Sequence, residues 1–205
     1  MIIHPRIYLA SQSPRRRELL KQIGVNYEML LLRSDPRRNV DVDETPHAGE
    51  LPEAYVKRVC EAKASAGWAA LQFRNLPPFP VLAADTSVIL DDDILGKPGG
   101  REEAAAMLRR LSGRQHQVLS AVAIAFGERI ETRLSVTAVT FSALDDERIH
   151  RYLLTNEWND KAGAYGIQGH ASKFVQHIEG SYSGVMGLPL FETAELLQAF
   201  GYPAL

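Results

Sequence analysis

The 205-residue chain has a single cysteine, Cys60, so no disulfide can form within it. Cys60 shares an apolar helical pattern with Val56 and Val59 and reads as core; a reducing compartment is the consistent setting. No run approaches the roughly 20 apolar residues that a membrane span needs, and no apolar signal-type stretch opens the chain. Together these absences predict a cytoplasmic protein without a membrane partner. An excess of basic charge is also missing. The 23 Lys and Arg face 25 Asp and Glu, for a net charge of −2, which argues against a nucleic-acid polymer as partner. Repeats and low-complexity tracts are lacking as well. The six histidines are scattered rather than set at zinc-ligand spacing. Gly96-Lys97 lacks the remaining residues of a P-loop. Ser11 and Ser13 have no nucleophile-elbow context.

What is present is a chain with 45% hydrophobic residues, enough for a packed core. Its patterning predicts a mixed α/β protein. Strands are expected at Ile7–Ala10, Val25–Arg33, Val81–Leu90, His116–Phe126, Arg129–Phe141 and Phe174–Ile178. Helices are expected at Arg15–Ile23, from Pro52 to about Leu71 with Leu51 on its apolar face, and at Arg101–Leu111 and Asp145–Leu154, with a last one opened by Pro189 and ending near Phe200. Residues 34–50 read as a polar loop and Asp91–Asp93 as a turn. No linker divides the chain, so residues 1–205 form one domain, with a cleft between two lobes as the expected arrangement.

The most informative segment is Ser11-Gln12-Ser13-Pro14-Arg15-Arg16-Arg17. Ser13 reads as an N-cap and Pro14 as the first helical residue. Three arginines then occupy the first helical turn, where the helix dipole disfavours cations. A polyanion docked among the N–H groups and guanidinium forks resolves that conflict. The plain alternative is a solvated basic helix start or a Ser-Pro modification site. Asp85 is the second signal. A carboxylate inside Val81-Leu82-Ala83-Ala84-Asp85-Thr86-Ser87-Val88-Ile89-Leu90 is costly unless it is paired, binds metal or faces a wet cleft. Alternation places Asp85 and Ser87 on one face, with Ala84, Thr86 and Val88 on the other. Lys97 reads either as a turn lysine or as a phosphate contact. Lys63 reads as an ordinary helix lysine, and Glu44 as a loop acid or a cation ligand. The glycine-rich Asp160–Gly169 stretch permits tight turns and close ligand approach. In it, Gln168 offers both a donor and an acceptor to a base edge.

Taken together these motifs resemble the Maf family of nucleoside triphosphate pyrophosphatases. The resemblance runs through Ala10–Arg16, Asp43-Glu44-Thr45, Glu61–Ala64, Ala84-Asp85-Thr86, Leu95–Pro98, Asp160–Gly169 and Gly187-Leu188-Pro189, in order, from Ile7 to Phe200. It implies the elongated Maf/ITPase-like α/β fold and hydrolysis of a small nucleoside triphosphate to monophosphate and pyrophosphate with a divalent cation, Mg2+ or Mn2+. It assigns Asp85 as proton acceptor and Glu44 as a second acid, both candidate metal ligands. It places Ser11, Arg15, Arg16, Lys63 and Lys97 around the phosphates. Arg15, Thr86 and Gln168 look like the specificity residues of the dTTP/UTP branch rather than the 7-methyl-GTP branch. The rival from another class is a non-catalytic nucleotide-binding regulator of cell division. A homodimer is carried by the resemblance alone. Trp158, Gly99-Gly100 and Met1–Arg6 depart from the family's pattern.

Overall fold

The computed structural model describes residues 6–33 and 41–202. Residues 34–40 of the loop expected at 34–50, and residues 1–5 of the departing Met1–Arg6 segment, lie outside the described residues. The elements run β1 (Ile7–Leu9), α1 (Pro14–Gln22), β2 (Tyr27–Met29), α2 (Pro52–Phe73), β3 (Val81–Leu90), β4 (Asp93–Leu95), α3 (Arg101–Leu111), β5 (Gln115–Phe126), β6 (Arg129–Phe141), α4 (Asp146–Leu153), β7 (Val175–Glu179), α5 (Tyr182–Met186) and α6 (Leu190–Ala199). Short 3-10 turns at Ala162–Ala164 and His170–Phe174 precede β7.

One mixed seven-stranded sheet organises the described residues, in the order β2-β1-β3-β5-β6-β7, with β4 also on β3. β1 is parallel to β2 and β3; the other pairings are antiparallel. The alternation expected for β3 sorts its residues between the two faces. Ala83 and Ile89 join Val56, Val59, Cys60 and Ala64 of α2 on one face. Leu82 and Ala84 pack with α1 and α6 on the other. Further along that second face, Val88 and Leu90 pack with α3 and α4. Gly67 lets α2 lie close on the sheet, since a Cβ there would meet Val81 Cγ1 at 2.6 Å. Cys60 is buried and burial pushes its thiol up to about 12, so it is an inert core residue.

Several expectations need correction. The strand expected at Val25–Arg33 shrinks to three residues. β1 stops at Leu9 because Ser11–Pro14 turns into α1, so after the Leu30 N–H donates to the Leu9 carbonyl the second strand has no partner left. The Asp91–Asp93 turn is really a two-residue hairpin. Asp91 and Asp92 take φ of 53° and 66°, and Asp93 already opens β4. Leu51 caps α2 from outside and is 72% exposed, not on its apolar face. The five-residue helix α5, capped by the Ser181 hydroxyl, has too few residues to show a period in sequence.

The sheet has a gap that shapes everything below. Along one edge of β3, β1 pairs only with Val81 and Leu82, and β4 only with Val88, Ile89 and Leu90. Among the described residues the stretch 83–87 has no strand on that side, while its other edge is fully paired to β5. The loop after β1 and the turn after β4 flank this gap.

A pH-sensitive group sits in the core at the start of β5. His116 is buried, its Nε2 lies 2.8 Å from the Tyr165 hydroxyl, and among the described residues its Nδ1 has no partner. Burial pushes it down to about 4. The unfolded chain therefore takes up this proton first as the pH falls. The stabilisation by neutral His116 is complete above the unfolded value near 6.5 and lost on the way down to 4. Urea unfolding at pH 7 and pH 4 should show wild type losing about 3 kcal/mol more than His116→Gln, which keeps an acceptor for Tyr165. Equal losses in the two proteins would remove His116 as the cause.

Candidate active site

The gap in the sheet opens into a cleft with an inner and an outer part. The inner part has a volume of 430 Å³ and the outer one 930 Å³. Ser13, Arg15, Arg16, Glu44, Lys63, Lys97 and Lys161 line both. Asp85 and Thr86 line the inner part, and Ser11 the outer.

The segment after β1 folds as its sequence predicts. The Ser13 hydroxyl accepts the Arg16 N–H at 3.5 Å and Pro14 opens α1. The Ser11 hydroxyl accepts the Ser13 N–H at 3.2 Å and Arg16 Nη1 at 3.3 Å. Arg16 Nε donates to the Gly187 carbonyl at 2.8 Å, tying α1 to the turn after α5. Burial lowers the Arg16 pKa, but a guanidinium stays charged. Arg15 is part of the cleft lining, and Arg17 is not.

Three charged groups meet at the centre. Lys63 Nζ, reaching from α2, stands 2.7 Å from Asp85 Oδ1 and 3.0 Å from Glu44 Oε1. Asp85 is 8% exposed, so this ammonium is what makes its burial tolerable. Glu44 sits on a loop that is pinned to α2. The Tyr55 hydroxyl donates to the Glu44 carbonyl at 2.9 Å, and Arg58 Nη2 donates to the Thr45 carbonyl at 3.1 Å. Arg58 also grips Glu50 with two bonds, at 2.6 and 2.8 Å, and holds that carboxyl down to about 2. Burial, followed by the charges of Asp85 and Glu44, pushes Tyr55 up to about 12, so it stays a neutral donor.

The facing wall supplies cations. Lys97 follows β4 in a turn held by the Gly163 N–H donating to the Gly96 carbonyl at 3.1 Å. Lys161, which the sequence reading did not single out, lines both parts of the cleft. Burial and then the neighbouring Arg15 lower its pKa. Its stem lies against Gly166, where a Cβ would stand 2.8 Å from Lys161 Cε. Gly166 therefore serves to seat this lysine. Gln168 is exposed and belongs to neither part of the lining, because Tyr165 and Ile167 take the inward positions of that segment.

Two carboxylates flanking one ammonium form an oxygen donor set that suits a hard divalent cation. Among the described residues, no three His, Cys, Asp or Glu side chains come together as a ready cage. An ion held by Asp85 and Glu44 would complete its shell with water and phosphate oxygens, the usual way Mg2+ is bound.

Comparison with known proteins bears on what this cleft holds. The family model described as "Maf-like protein" matches residues 6–200. A dTTP/UTP pyrophosphatase of Aromatoleum aromaticum is 56% identical over 98% of this chain and 98% of its own length. One from Dechloromonas aromatica is 52% identical over 96% of this chain and 98% of its own. Among solved structures, the Staphylococcus aureus Ham1 protein aligns with 66% of this chain and 71% of its own at 18% identity, with a TM-score of 0.44.

Proposed function

The chain belongs to the Maf family, and from that membership we propose that it is a pyrophosphatase hydrolysing dTTP and UTP to the monophosphate and pyrophosphate. The near-full-length relatives carry that activity in their names. Neither the 7-methyl-GTP reading nor the non-catalytic regulator draws support from them. The structural observation that carries the reading is the Asp85–Lys63–Glu44 cluster in a cleft whose lining also holds the cations Arg15, Arg16, Lys97 and Lys161. A pocket that only bound a polyanion would gain nothing from two carboxylates.

In the reaction, the oxygen of a water forms a bond to the α-phosphorus, and the bond from that phosphorus to the bridging oxygen breaks to release pyrophosphate. Arg15, Lys97 and Lys161 hold the triphosphate, and Arg16, anchored on Ser11 and Gly187, keeps the α1 N-terminus in place for it. Asp85 accepts the water's proton on its carboxylate. Lys63 fixes Asp85 in one orientation through Oδ1. Among the described residues Oδ2 has no protein partner and is the oxygen left for the water. Asp85 and Glu44 would hold the divalent ion, which when bound neutralises phosphate oxygens. Catalysis of this kind is mostly positioning and charge stabilisation.

The test is pyrophosphate release from dTTP, UTP, CTP, GTP and 7-methyl-GTP, with Mg2+ or Mn2+ and with EDTA. Release led by dTTP and UTP and abolished by EDTA is the expected result; release led by 7-methyl-GTP overturns the substrate assignment. Lys161→Ala should raise KM for UTP about tenfold with a smaller change in kcat, the result of losing one charge-assisted phosphate contact. An unchanged KM would take Lys161 out of the phosphate site. Among the described residues no helix is long and apolar enough to cross a membrane. A cytoplasmic location is part of the proposal and draws support from the lone buried Cys60, which needs no oxidising compartment. The homodimer stands as a proposal for sedimentation to test.

A further inference from the structure

The hydroxyl of Thr86 is held in one polarity by residues outside the cleft. Ser120 of β5, 1% exposed, donates its only hydroxyl proton to the Gly184 carbonyl at 2.6 Å, because a carbonyl can only accept. The Thr86 and Ser120 oxygens lie 3.0 Å apart. With the Ser120 proton committed, Thr86 must donate its own proton to Ser120. What Thr86 then turns toward the cleft is lone pairs.

An acceptor is the wrong group for a phosphate oxygen, so this wall belongs to the nucleoside. The lining agrees. Val88, Val118, Tyr165, Val185 and Met186 border the inner part, with Thr86, and are absent from the outer part. Beside its charged residues, the inner part thus has an apolar surface with the oriented Thr86 hydroxyl next to it, the kind of surface that seats a planar ring.

We propose that Ser120 is a positioning residue that fixes Thr86 as a hydrogen-bond acceptor, so that the site selects a pyrimidine carrying a ring N–H donor, as uracil and thymine do, over cytosine, whose ring nitrogen at that place is itself an acceptor. The inference rests on the pyrimidine nucleotide reading above. Rejection of cytosine follows from two acceptors meeting in a desolvated pocket, each left without a proton.

The test compares kcat/KM for UTP and CTP, which are alike in size. Wild type should prefer UTP. Ser120→Ala frees the Thr86 hydroxyl to rotate and donate, and the UTP-to-CTP ratio should fall about tenfold. Ser120→Thr, which keeps a hydroxyl, should restore the ratio. Thr86→Val should lower the ratio too, and adding Ser120→Ala to it should change the ratio no further, because Ser120 acts only through Thr86. Equal losses on both nucleotides in Ser120→Ala, with the ratio unchanged, would show Ser120 to be merely structural. If Ser120→Ala fails to fold, Thr86→Val alone decides: an unchanged ratio overturns the proposal and a reduced one supports it. A wild type active on UTP and CTP alike overturns this inference and leaves the reaction standing. A wild type that hydrolyses neither UTP nor dTTP overturns the proposed function itself.

Discussion

Asp85→Asn is expected to cut pyrophosphate release from dTTP and UTP by about a thousandfold or more, with the protein still folded. The substitution keeps the volume of the side chain and a hydrogen-bonding oxygen, and removes the proton acceptor. General-base catalysis alone is worth about 10²–10⁴-fold. The structure adds a second loss. Lys63 Nζ stands between Asp85 and Glu44 at 2.7 and 3.0 Å. With Asp85 neutral, the ammonium keeps one anionic partner and is drawn toward Glu44, so the remaining groups also leave their positions. KM for UTP should change far less than kcat, because the cations facing the phosphates, Arg15, Lys97 and Lys161, are untouched. A variant retaining a tenth or more of the wild-type kcat would remove Asp85 as the base. Thermal unfolding run beside it separates lost chemistry from lost fold.

The sequence made some of this legible and hid the rest, for reasons of length and pattern. β3, α3 and β6 fall within the expected bounds, because each is long enough for its period to appear and ends at a clear stop. β2 and β4 have three residues each, too few for alternation to register, and their extent depends on how much partner strand is available. The acid in β3 was visible because a charge in an apolar run is a cost that needs a reason. Ser120 carries a milder form of the same signal. It interrupts Leu119 and Ala121 in an apolar strand, yet a buried serine satisfies itself so easily that nothing singled it out. Lys63 gave no local hint. Its importance comes from α2 crossing the sheet close to β3, which Gly67 allows and which no window of sequence around Lys63 records. Gln168 shows the opposite case. Its chemistry suits a base edge, but backbone geometry turned its neighbours Tyr165 and Ile167 inward and left it exposed. The clamp of Tyr55 and Arg58 on the Glu44 loop follows no local pattern: it needs the start of α2 and the loop before it to be neighbours in space, as they are.

Lys63→Met should have the second large effect, and its signs differ between measurements. Methionine matches the length of the lysine stem but removes the ammonium that both acids share. Turnover of UTP should fall about 10²–10³-fold, the usual cost of deleting one preorganised electrostatic group. Stability at neutral pH should fall as well, because Asp85 would be left buried beside Glu44 with no cation between them; breaking a buried pair by removing one partner costs about 3–5 kcal/mol, with the exposed side of Glu44 bringing the effect toward the lower end. Affinity for a divalent cation should rise. The two carboxylates that Lys63 neutralises become an uncompensated oxygen pair, and Mn2+ binding, followed by its paramagnetic signal without nucleotide, should tighten as activity is lost. The same ion added in the unfolding experiment should recover part of the lost stability, since it binds the folded state alone. Unchanged Mn2+ affinity in this variant would mean that Asp85 and Glu44 are not the metal ligands, and the two acids would then act through the lysine and the water only.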